Sequence, residues 1–502
     1  MIRDAFLKRP ALFPLLICGY FALQVVLRLL LPHELELDEA QQSLLSQWLA
    51  WGYDTQPPLY NWIYYAVAQL FGNSLASMTI VKNLLLAGTY LLYYGAARAV
   101  LAERGLAMVA ALGLLAIPHL SFESQRDLTH SVAMNFAAAL FLFALMRTLR
   151  APSLWTYLLL GLATGIGLIA KYNFALLLAT SGLAALLDAE TRKRVFDWRI
   201  LLSAVVALLI LSPHAFWLID NLTLGSDGSL DKLREGAGHG RLSQIIGGLL
   251  SILEGFAGYA ALVTVLFVVL FGKRLWARAP NQTAEARLIE RMLAIFLVLL
   301  LALVLLAGAS AFKERWLSPV LITLPLYAAL RLEAAGTSGR LALSRFLPAA
   351  LIIMVLIPTV LALRVVGSGW TGNYQKINVA YSDFAQTLRA ERGAPAAVIA
   401  QDPHLAGNLR LHLPESFMDA RWYPTYAGDD SLPAGPILVV WRASGRDGAP
   451  IDPAMPSSLS TIVQEKLGPT ALAAPQQVVA LPFHYSHGSE TYRFAYAWID
   501  RN

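Results

Sequence analysis

A short segment near the N-terminus concentrates carboxylates. Residues 34–39 read Glu-Leu-Glu-Leu-Asp-Glu, Asp54 follows, and the segment 32–74 contains no lysine or arginine. A carboxylate held near a substrate can act as a general base that takes the proton from a hydroxyl group. We therefore single out Asp38, with Glu39 beside it, as the candidate catalytic pair.

A second interpretation of Asp38 is structural. The apolar residues within 44–49 recur at helical spacing, which predicts an amphipathic helix in the membrane interface, anchored by Trp48 and Trp51. An aspartate before such a helix, with Gln41 three positions later, is typical of an N-terminal cap. Capping and catalysis are compatible, so the sequence leaves both open.

Lysines and arginines are the second group of side chains that could take part in a reaction. Charges in or near hydrocarbon are costly and usually mark a pathway or a site, although a single one can simply reach out to water. Six are expected near the same membrane face as the acidic segment: Arg28, Lys82, Arg126, Lys171, Lys313 and Arg315. Together they suggest an anionic headgroup held beside a carboxylate. Glycosyl transfer from a lipid phosphate needs cations for the phosphate and a base for the acceptor hydroxyl.

Two histidines complete this polar set. His130 and His214 are both expected at the outer side, and His214 directly follows Pro213. A packed histidine at a kinked helix end is favoured over a metal ligand, because no second ligand lies at a recognisable spacing. The sequence therefore does not indicate a metal or another cofactor.

The elements that must position these residues are membrane helices. The 502 residues are 57% hydrophobic and only 14% charged, against about 25% in an average soluble protein. The net charge of +6 is dispersed between apolar runs, which favours membrane topology over nucleic-acid binding. The single cysteine, Cys18, excludes a disulfide within the chain.

Apolar runs predict about eleven spans. They fall near residues 11–31, 75–97, 105–118, 128–146, 153–170, 173–187, 200–218, 248–272, 292–310, 317–331 and 346–366. Nineteen basic residues lie in one set of loops, and the opposite set has seven: Arg126, Lys171, Lys232, Arg234, Arg241, Lys313 and Arg315. By the positive-inside rule the N-terminus is cytoplasmic and the C-terminus lies outside.

The chain is expected to have two domains, a transmembrane domain at 1–366 and a small α/β domain at 367–502. Strand-like runs occur at Ala397–Ala400, Ile437–Trp441, Val478–Leu481 and Tyr492–Trp498, and helices are predicted at Tyr381–Arg392 and Ser457–Leu467. In a bacterial inner membrane this second domain would be periplasmic.

Three segments resemble the GT-C superfamily of polyprenyl-phosphate-sugar-dependent glycosyltransferases. They are Leu37-Asp-Glu-Ala, Gln56-Pro-Pro-Leu-Tyr-Asn-Trp62 and Lys313-Glu-Arg-Trp-Leu317. The likeness is strongest to the protein O-mannosyltransferase branch, with the lipid A aminoarabinose and rhizobial galacturonosyl transferases. It implies a GT-C fold of about eleven transmembrane helices with a small α/β domain outside the membrane.

The resemblance also implies the reaction, an inverting transfer in which Asp38 is the base. The donor would be a polyprenyl-phosphate sugar, and the acceptor would be a lipid or glycan hydroxyl such as one on lipid A or lipopolysaccharide core. Ten residues are expected to bind the donor phosphate or the substrates: Lys82, Arg126, Lys171, Lys313, Arg315, Gln41, Gln56, Tyr60, His130 and His214.

This sequence departs from the aminoarabinose transferases at three positions. Gln41 and Gln56 stand where those relatives have arginine and lysine, and Thr55 stands where they have glutamate. Neutral amides in place of fixed charges argue against an aminoarabinose donor and are closer to the galacturonosyl-transferring relatives.

Two other function classes remain open. A flippase for an anionic lipid-linked sugar could use the same cations, although the internal repeats and mid-membrane charges typical of transporters are not evident. A non-catalytic subunit presenting the C-terminal domain would not explain why an acidic segment and a set of cations occur together.

Overall fold

The computed structural model describes residues 2–53, 55–221, 240–277, 282–420, 432–445, 448–488 and 490–500. Asp54, Lys232 and Arg234, which entered the charge pattern above, lie outside the described residues.

Helices make up the chain up to residue 366. In order they are α1 Ile2–Lys8, α2 Leu12–Leu29, α3 Leu37–Leu45, α4 Leu59–Phe71, α5 Leu75–Val100, α6 Arg104–Gly113, α7 Thr129–Arg150, α8 Leu154–Ala170, α9 Phe174–Leu187, α10 Ala189–Val195, α11 Ile200–Asp220, α12 Arg241–Phe271, α13 Ala284–Ala307, α14 Glu314–Leu321, α15 Leu324–Ala334 and α16 Gly339–Val366.

Eight helical segments within the described ranges are long and apolar enough to cross a membrane. One further pair, Arg104–Ala116 and His119–Arg126, qualifies only as a broken span because it bends by 74°. Two shorter apolar helices, α8 and α9, occupy the remaining predicted positions. The chain is therefore a multi-pass membrane protein, and the count of eleven crossings stays a prediction.

The broken pair differs from the straight span predicted at 105–118. Ile117 is extended between a 3₁₀ turn ending at Ala116 and a π-helical turn at His119–Glu123, and Pro118 begins the new direction. Proline lacks the N–H that would continue the helix, so the chain turns there. This bend carries the polar run from Glu123 to His130 to one end of the bundle.

A five-stranded mixed sheet follows the helical part. Its strands are β1 Ala397–Ala400, β2 Phe417–Ala420, β3 Ile437–Arg442, β4 Gln477–Pro482 and β5 Thr491–Ile499, in the order β2-β1-β3-β5-β4. β1 is parallel to β2 and β3, and β5 is antiparallel to β3 and β4. Helices α17 Tyr381–Arg392, α18 Pro403–His412 and α19 Ser457–Leu467 accompany the sheet.

The structure corrects the interpretation of α3 as an interfacial helix capped by Asp38. Its N-cap is Glu36, which forms a reciprocal capping box with Glu39, so Asp38 lies inside the first turn. Leu44 packs into the core under the sheet, and Trp48 is 8% exposed against Phe417. Helix α3 is thus enclosed between the helical bundle and the C-terminal region, and Asp38 does not cap it.

The contact between α3 and α18 depends on a glycine. A Cβ atom at Gly407 would lie 1.9 Å from the carbonyl oxygen of Ala40, and Ser43 donates a hydrogen bond to the Gly407 carbonyl at 2.8 Å.

We predict that Gly407→Ala lowers the free energy of unfolding by about 1–3 kcal/mol, because the two backbones must separate. Thermal unfolding in detergent measures this effect. Gly182→Ala on α9 is the matched control, because a Cβ atom there would meet nothing within 4 Å and the backbone φ is not positive. An unchanged melting temperature for Gly407→Ala would contradict this packing.

A buried carboxylate also joins the first loop to the C-terminal region. Glu34 is fully buried and accepts hydrogen bonds from the Ser382 amide at 3.0 Å, His412 Nε2 at 3.0 Å and His484 Nε2 at 3.2 Å. Burial acts to raise the pKa of Glu34, but the hydrogen bonds from His412 and His484 outweigh it and hold the pKa at about 2.

The lowered pKa of Glu34 makes stability depend on pH. Its contribution, on the order of 3 kcal/mol, is complete above the pKa of an unfolded glutamate and is lost as pH falls from about 4.3 through about 2. We therefore predict that the melting temperature falls between pH 5 and pH 3, and that Glu34→Gln is less stable at neutral pH with a weaker pH dependence in this range. Equal slopes for the two proteins would contradict the role of Glu34.

Candidate active site

The predicted base and several predicted cations line one cavity of about 440 Å³. It lies where the first turn of α3 meets the ends of α7 and α8 and the start of α14. Leu300 and Leu303 of α13 form an apolar part of its wall. The predicted site residues on this wall are Asp38, Gln41, Gln56, His130, Lys171 and Arg315.

Asp38 is held from two sides. Its backbone N–H donates to Asp127 Oδ1 at 3.0 Å, and its carboxylate accepts a hydrogen bond from the Thr129 backbone N–H. The positive charges that act most strongly on this carboxylate are those of Lys171 and Arg315, followed by Lys82. Asp38 is therefore a fixed carboxylate that faces a cavity and has two cations on the same wall.

The two cations of the cavity come from different elements that are tied together. Lys171 caps the C-terminus of α8 and donates to Ser131 Oγ of α7 at 2.8 Å. Asn173, two residues later, donates through Nδ2 to the carbonyl oxygens of Arg315 and Trp316, each at 3.2 Å. This bridge fixes the start of α14 against the turn that follows α8, and so fixes Arg315 relative to Lys171.

Sequence reasoning missed Asp127, the carboxylate that positions Asp38. Asp127 is 7% exposed and precedes Leu128, whose φ of 65° is in the left-handed region that a leucine rarely adopts. Such strain costs about 1–2 kcal/mol and is typical of functional sites. The signal available in the sequence was the polar run between residues 123 and 130, in which only the arginine and the histidine were noticed.

The two neighbouring carboxyls have unequal surroundings. Burial raises the pKa of Asp38, while the charges of Lys171 and Arg315 oppose this rise. Burial also raises the pKa of Asp127 well above its usual range, and the nearby negative charges of Asp38 and Glu39 raise it further. The arrangement therefore favours protonation of Asp127 over protonation of Asp38.

Glu39 and Lys82 lie behind the cavity and do not line it. Lys82 Nζ donates to Glu39 Oε1 at 2.6 Å, and the two side chains are 2% and 1% exposed. Arg28 contacts the other Glu39 oxygen at 3.6 Å and donates to the Pro32 and Glu34 carbonyls at 2.9 Å and 2.5 Å. These contacts hold the first turn of α3 in place, which is a positioning role.

A polar network supports the opposite side of α3. Gln42 Nε2 lies 3.2 Å from His130 Nε2, and Asn61 Nδ2 donates to Gln42 Oε1 at 3.0 Å. Tyr60 is fully buried with its ring centroid 6.3 Å from that of His130, behind the cavity wall. Tyr60 therefore supports His130 and does not face the cavity.

The remaining predicted residues lie farther out. Arg126 and Lys313 line an adjacent cavity of about 450 Å³, which shares Leu128, Phe312 and Arg315 with the first. His214 is engaged through Nδ1 with the Trp51 carbonyl at 3.0 Å and through Nε2 with the Tyr172 hydroxyl at 3.2 Å, and it stacks on Trp217. His214 thus packs against Tyr172, which lines the cavity, and this agrees with the interpretation of His214 as a packed histidine.

The family model for dolichyl-phosphate-mannose-protein mannosyltransferases matches residues 55–217. The chain is 43% identical over 486 residues to the lipopolysaccharide core galacturonosyltransferase RgtB of Rhizobium johnstonii, with 97% of each chain covered. It is 39% identical over 492 residues to RgtA of the same organism, covering 97% of this chain and 96% of the relative.

Among solved structures, ArnT from Cupriavidus metallidurans in the apo state superposes with a TM-score of 0.60 at 13% identity, covering 95% of this chain and 97% of ArnT. Its complex with undecaprenyl phosphate gives a TM-score of 0.58 at 14% identity, with 97% of both chains covered. At this identity the likeness shows a shared fold.

Proposed function

The chain belongs to the GT-C superfamily of membrane glycosyltransferases, and we propose that it transfers a galacturonosyl residue from a polyprenyl phosphate to a hydroxyl of the lipopolysaccharide core. The observation that carries the proposal is the cavity in which Asp38 shares one wall with Lys171 and Arg315. The names of the relatives support the sugar and the acceptor, and the undecaprenyl phosphate bound by ArnT supports the donor lipid.

Asp38 acts as the general base in this proposal. The acceptor hydroxyl gives its proton to the Asp38 carboxylate while its oxygen forms a bond to the anomeric carbon of the sugar. The bond from that carbon to the phosphate oxygen breaks at the same time, and the polyprenyl phosphate leaves with the electron pair. Because attack and departure occur on opposite faces, the configuration of the anomeric carbon inverts. Glu39 keeps a positioning role through its contact with Lys82.

Lys171 and Arg315 balance the charge that grows on the leaving phosphate. A phosphate that gains charge in the transition state is stabilised most by cations already fixed in a site that excludes water. Ser131 orients Lys171, and Asn173 orients the start of the helix that carries Arg315. Gln41 and Gln56 on the same wall offer neutral amides, which can donate to sugar hydroxyls and to a carboxylate.

The proposal is tested by following the sugar. The purified chain in proteoliposomes receives radiolabelled galacturonosyl, glucosyl or aminoarabinosyl polyprenyl phosphate together with lipopolysaccharide core acceptor. We expect label on the acceptor with the galacturonosyl donor only. Labelled donor that crosses the bilayer without cleavage would replace this function with lipid transport, and transfer from another donor would overturn the choice of sugar.

The raised pKa of Asp38 predicts the acid side of the pH profile. A base works only in its ionised form, so kcat/KM falls as pH decreases through the pKa of Asp38. Because burial raises that pKa, this decline should occur above pH 4, where exposed aspartates titrate. Transfer assayed from pH 4 to pH 9 measures it, and full activity retained at pH 4 would contradict Asp38 as the base.

A further inference from the structure

A second group of cations lies beyond the active-site cavity, at the outer ends of α2 and α16. Arg126 and Arg364, which we name the arginine pair, line a narrow cavity of about 50 Å³. Most of the remaining wall is apolar: Leu27, Leu31, Pro358, Leu361, Ala362, Val365 and Ile377. Arg28, which contacts Glu39, and the carboxyl of Glu36 also line it. This cavity therefore combines three guanidinium groups and one carboxyl group with a surface suited to hydrocarbon.

The hydrogen-bonding capacity of the arginine pair is incompletely used. Arg126 contacts Glu123 at 2.7 Å, but its Nε is buried and has no acceptor among the residues that the structure describes. Arg364 donates to Gln375, a neutral amide, and lies over the ring of Phe122 at 5.8 Å. A buried donor such as Nε of Arg126 is costly unless an acceptor completes it, and the 38% exposure of the whole Arg126 side chain leaves its guanidinium accessible to an anion.

The local charge is also positive. Glu36, the N-cap of α3, is 8% exposed, and the charges of Lys376, Arg364 and Arg126 all act on it. Among the described residues, Glu36 and Glu123 are the carboxylates whose charges act on Arg364. With Arg28 paired with Glu39, the three cations Arg126, Arg364 and Lys376 outnumber these two carboxylates by one, so one further negative group would balance the cluster.

The position of the cluster connects lipid with the active site. Leu23 and Val26 of α2, Leu30 directly after it, and Leu363 of α16 are 49%, 54%, 71% and 57% exposed. Because these helices are apolar spans, this surface faces the hydrocarbon of the membrane. On its other side Arg126 lines the adjacent cavity of about 450 Å³, which shares Leu128 and Arg315 with the cavity of Asp38. The cavity of the arginine pair, the adjacent cavity and the Asp38 cavity therefore form a series that runs from the lipid-facing groove between α2 and α16 to Asp38.

We propose that the arginine pair binds a phosphate or carboxylate group of the lipid-anchored acceptor, whose acyl chains lie in the groove between α2 and α16. This inference rests on the proposed transfer to an anionic glycolipid. It places the acceptor on the side of the Asp38 cavity that shares Leu128 and Arg315 with the adjacent cavity, and it moves Arg126 from donor binding to acceptor binding.

The test compares two substrates in one reaction. Arg364→Gln removes the charge of a residue that does not line the Asp38 cavity, and Arg364→Lys retains a charge. Arg345→Gln is the matched control, because Arg345 lies on the same helix at the opposite end and bonds the Leu270 carbonyl. Proteoliposomes of neutral phosphatidylcholine receive the galacturonosyl donor and increasing lipopolysaccharide core acceptor, and initial rates give KM for each substrate.

We expect Arg364→Gln to raise the acceptor KM roughly ten-fold or more, since a charge-assisted hydrogen bond is lost, while the donor KM stays within two-fold. Arg364→Lys should recover part of the loss, and Arg345→Gln should match the wild type. A rise in the donor KM, or no change in either, would overturn the inference. A loss seen only in vesicles containing phosphatidylglycerol would assign the cluster to a bulk anionic lipid and would also overturn it. If the wild type transfers no sugar, the proposed function itself fails, which is a different result.

Discussion

Asp38→Asn should lower kcat for sugar transfer by at least three orders of magnitude. General-base catalysis contributes about 10²–10⁴-fold, and the neutral amide also removes the negative charge that Lys171 and Arg315 face. The substitution is isosteric and leaves the backbone N–H that donates to Asp127 unchanged. Initial rates with saturating donor and acceptor measure the effect.

Two controls separate chemistry from folding in this experiment. Asp500→Asn changes a carboxylate that is 70% exposed and paired with Arg392 on the surface, so it should retain full activity. Donor binding and the melting temperature of Asp38→Asn should stay close to the wild type. Near-normal turnover by Asp38→Asn would exclude Asp38 as the base, whatever the stability of the variant.

Arg315→Gln is expected to have the second largest effect, a decrease in kcat of about 10²–10³-fold. Arg315 lines the cavity with Asp38, and a single well-placed group that stabilises developing charge is worth this much. The loss should be greater in kcat than in donor affinity, because the phosphate gains charge as the sugar leaves. Steady-state kinetics with varied donor measure both quantities.

The control for this variant is Arg241→Gln. Arg241 is an exposed arginine from the same predicted set of outer cations, and its guanidinium contacts the Leu305 carbonyl at 3.5 Å. It should leave kcat within two-fold of the wild type. Equal losses in the two variants would mean that general surface charge, and not a cation inside the cavity, supports the reaction.

The sequence was sufficient to predict the membrane fold and to select several residues that the structure brings together in one cavity. Long apolar runs define spans because lipid leaves the backbone few alternatives to a helix. Asp38, Lys171 and Arg315 were identifiable because charges near hydrocarbon are rare. Their meeting in one cavity agrees with that reasoning, and their catalytic and binding roles stay predictions.

Other features depended on tertiary contacts that the local sequence does not encode. The pairing of Lys82 with Glu39 joins positions 43 residues apart, so Lys82 could not be separated from the cavity cations. The pattern on α3 was interpreted as a membrane-facing stripe, whereas its apolar side contacts the C-terminal region. Nothing in the spacing of the apolar residues distinguishes lipid from protein as the partner of such a stripe.

In the C-terminal region, too, the sequence predicted some helices and strands and did not predict others. Helices α17 and α19 and four of the five strands occur where the pattern predicted them. Strand β2, Phe-Met-Asp-Ala, has too little alternation to stand out. Helix α18 was overlooked although Asp402 caps it and Pro403 begins it, which is an ordinary start signal.

The most direct test of single displacement by an Asp38-activated hydroxyl is the anomeric configuration of the product. The sugar linkage in the donor and in the product glycan can be assigned from the one-bond carbon–proton coupling at the anomeric position. The proposed mechanism predicts opposite configurations in donor and product. Retention of configuration would contradict it, since it would require a covalent sugar–enzyme intermediate and make a carboxylate the nucleophile.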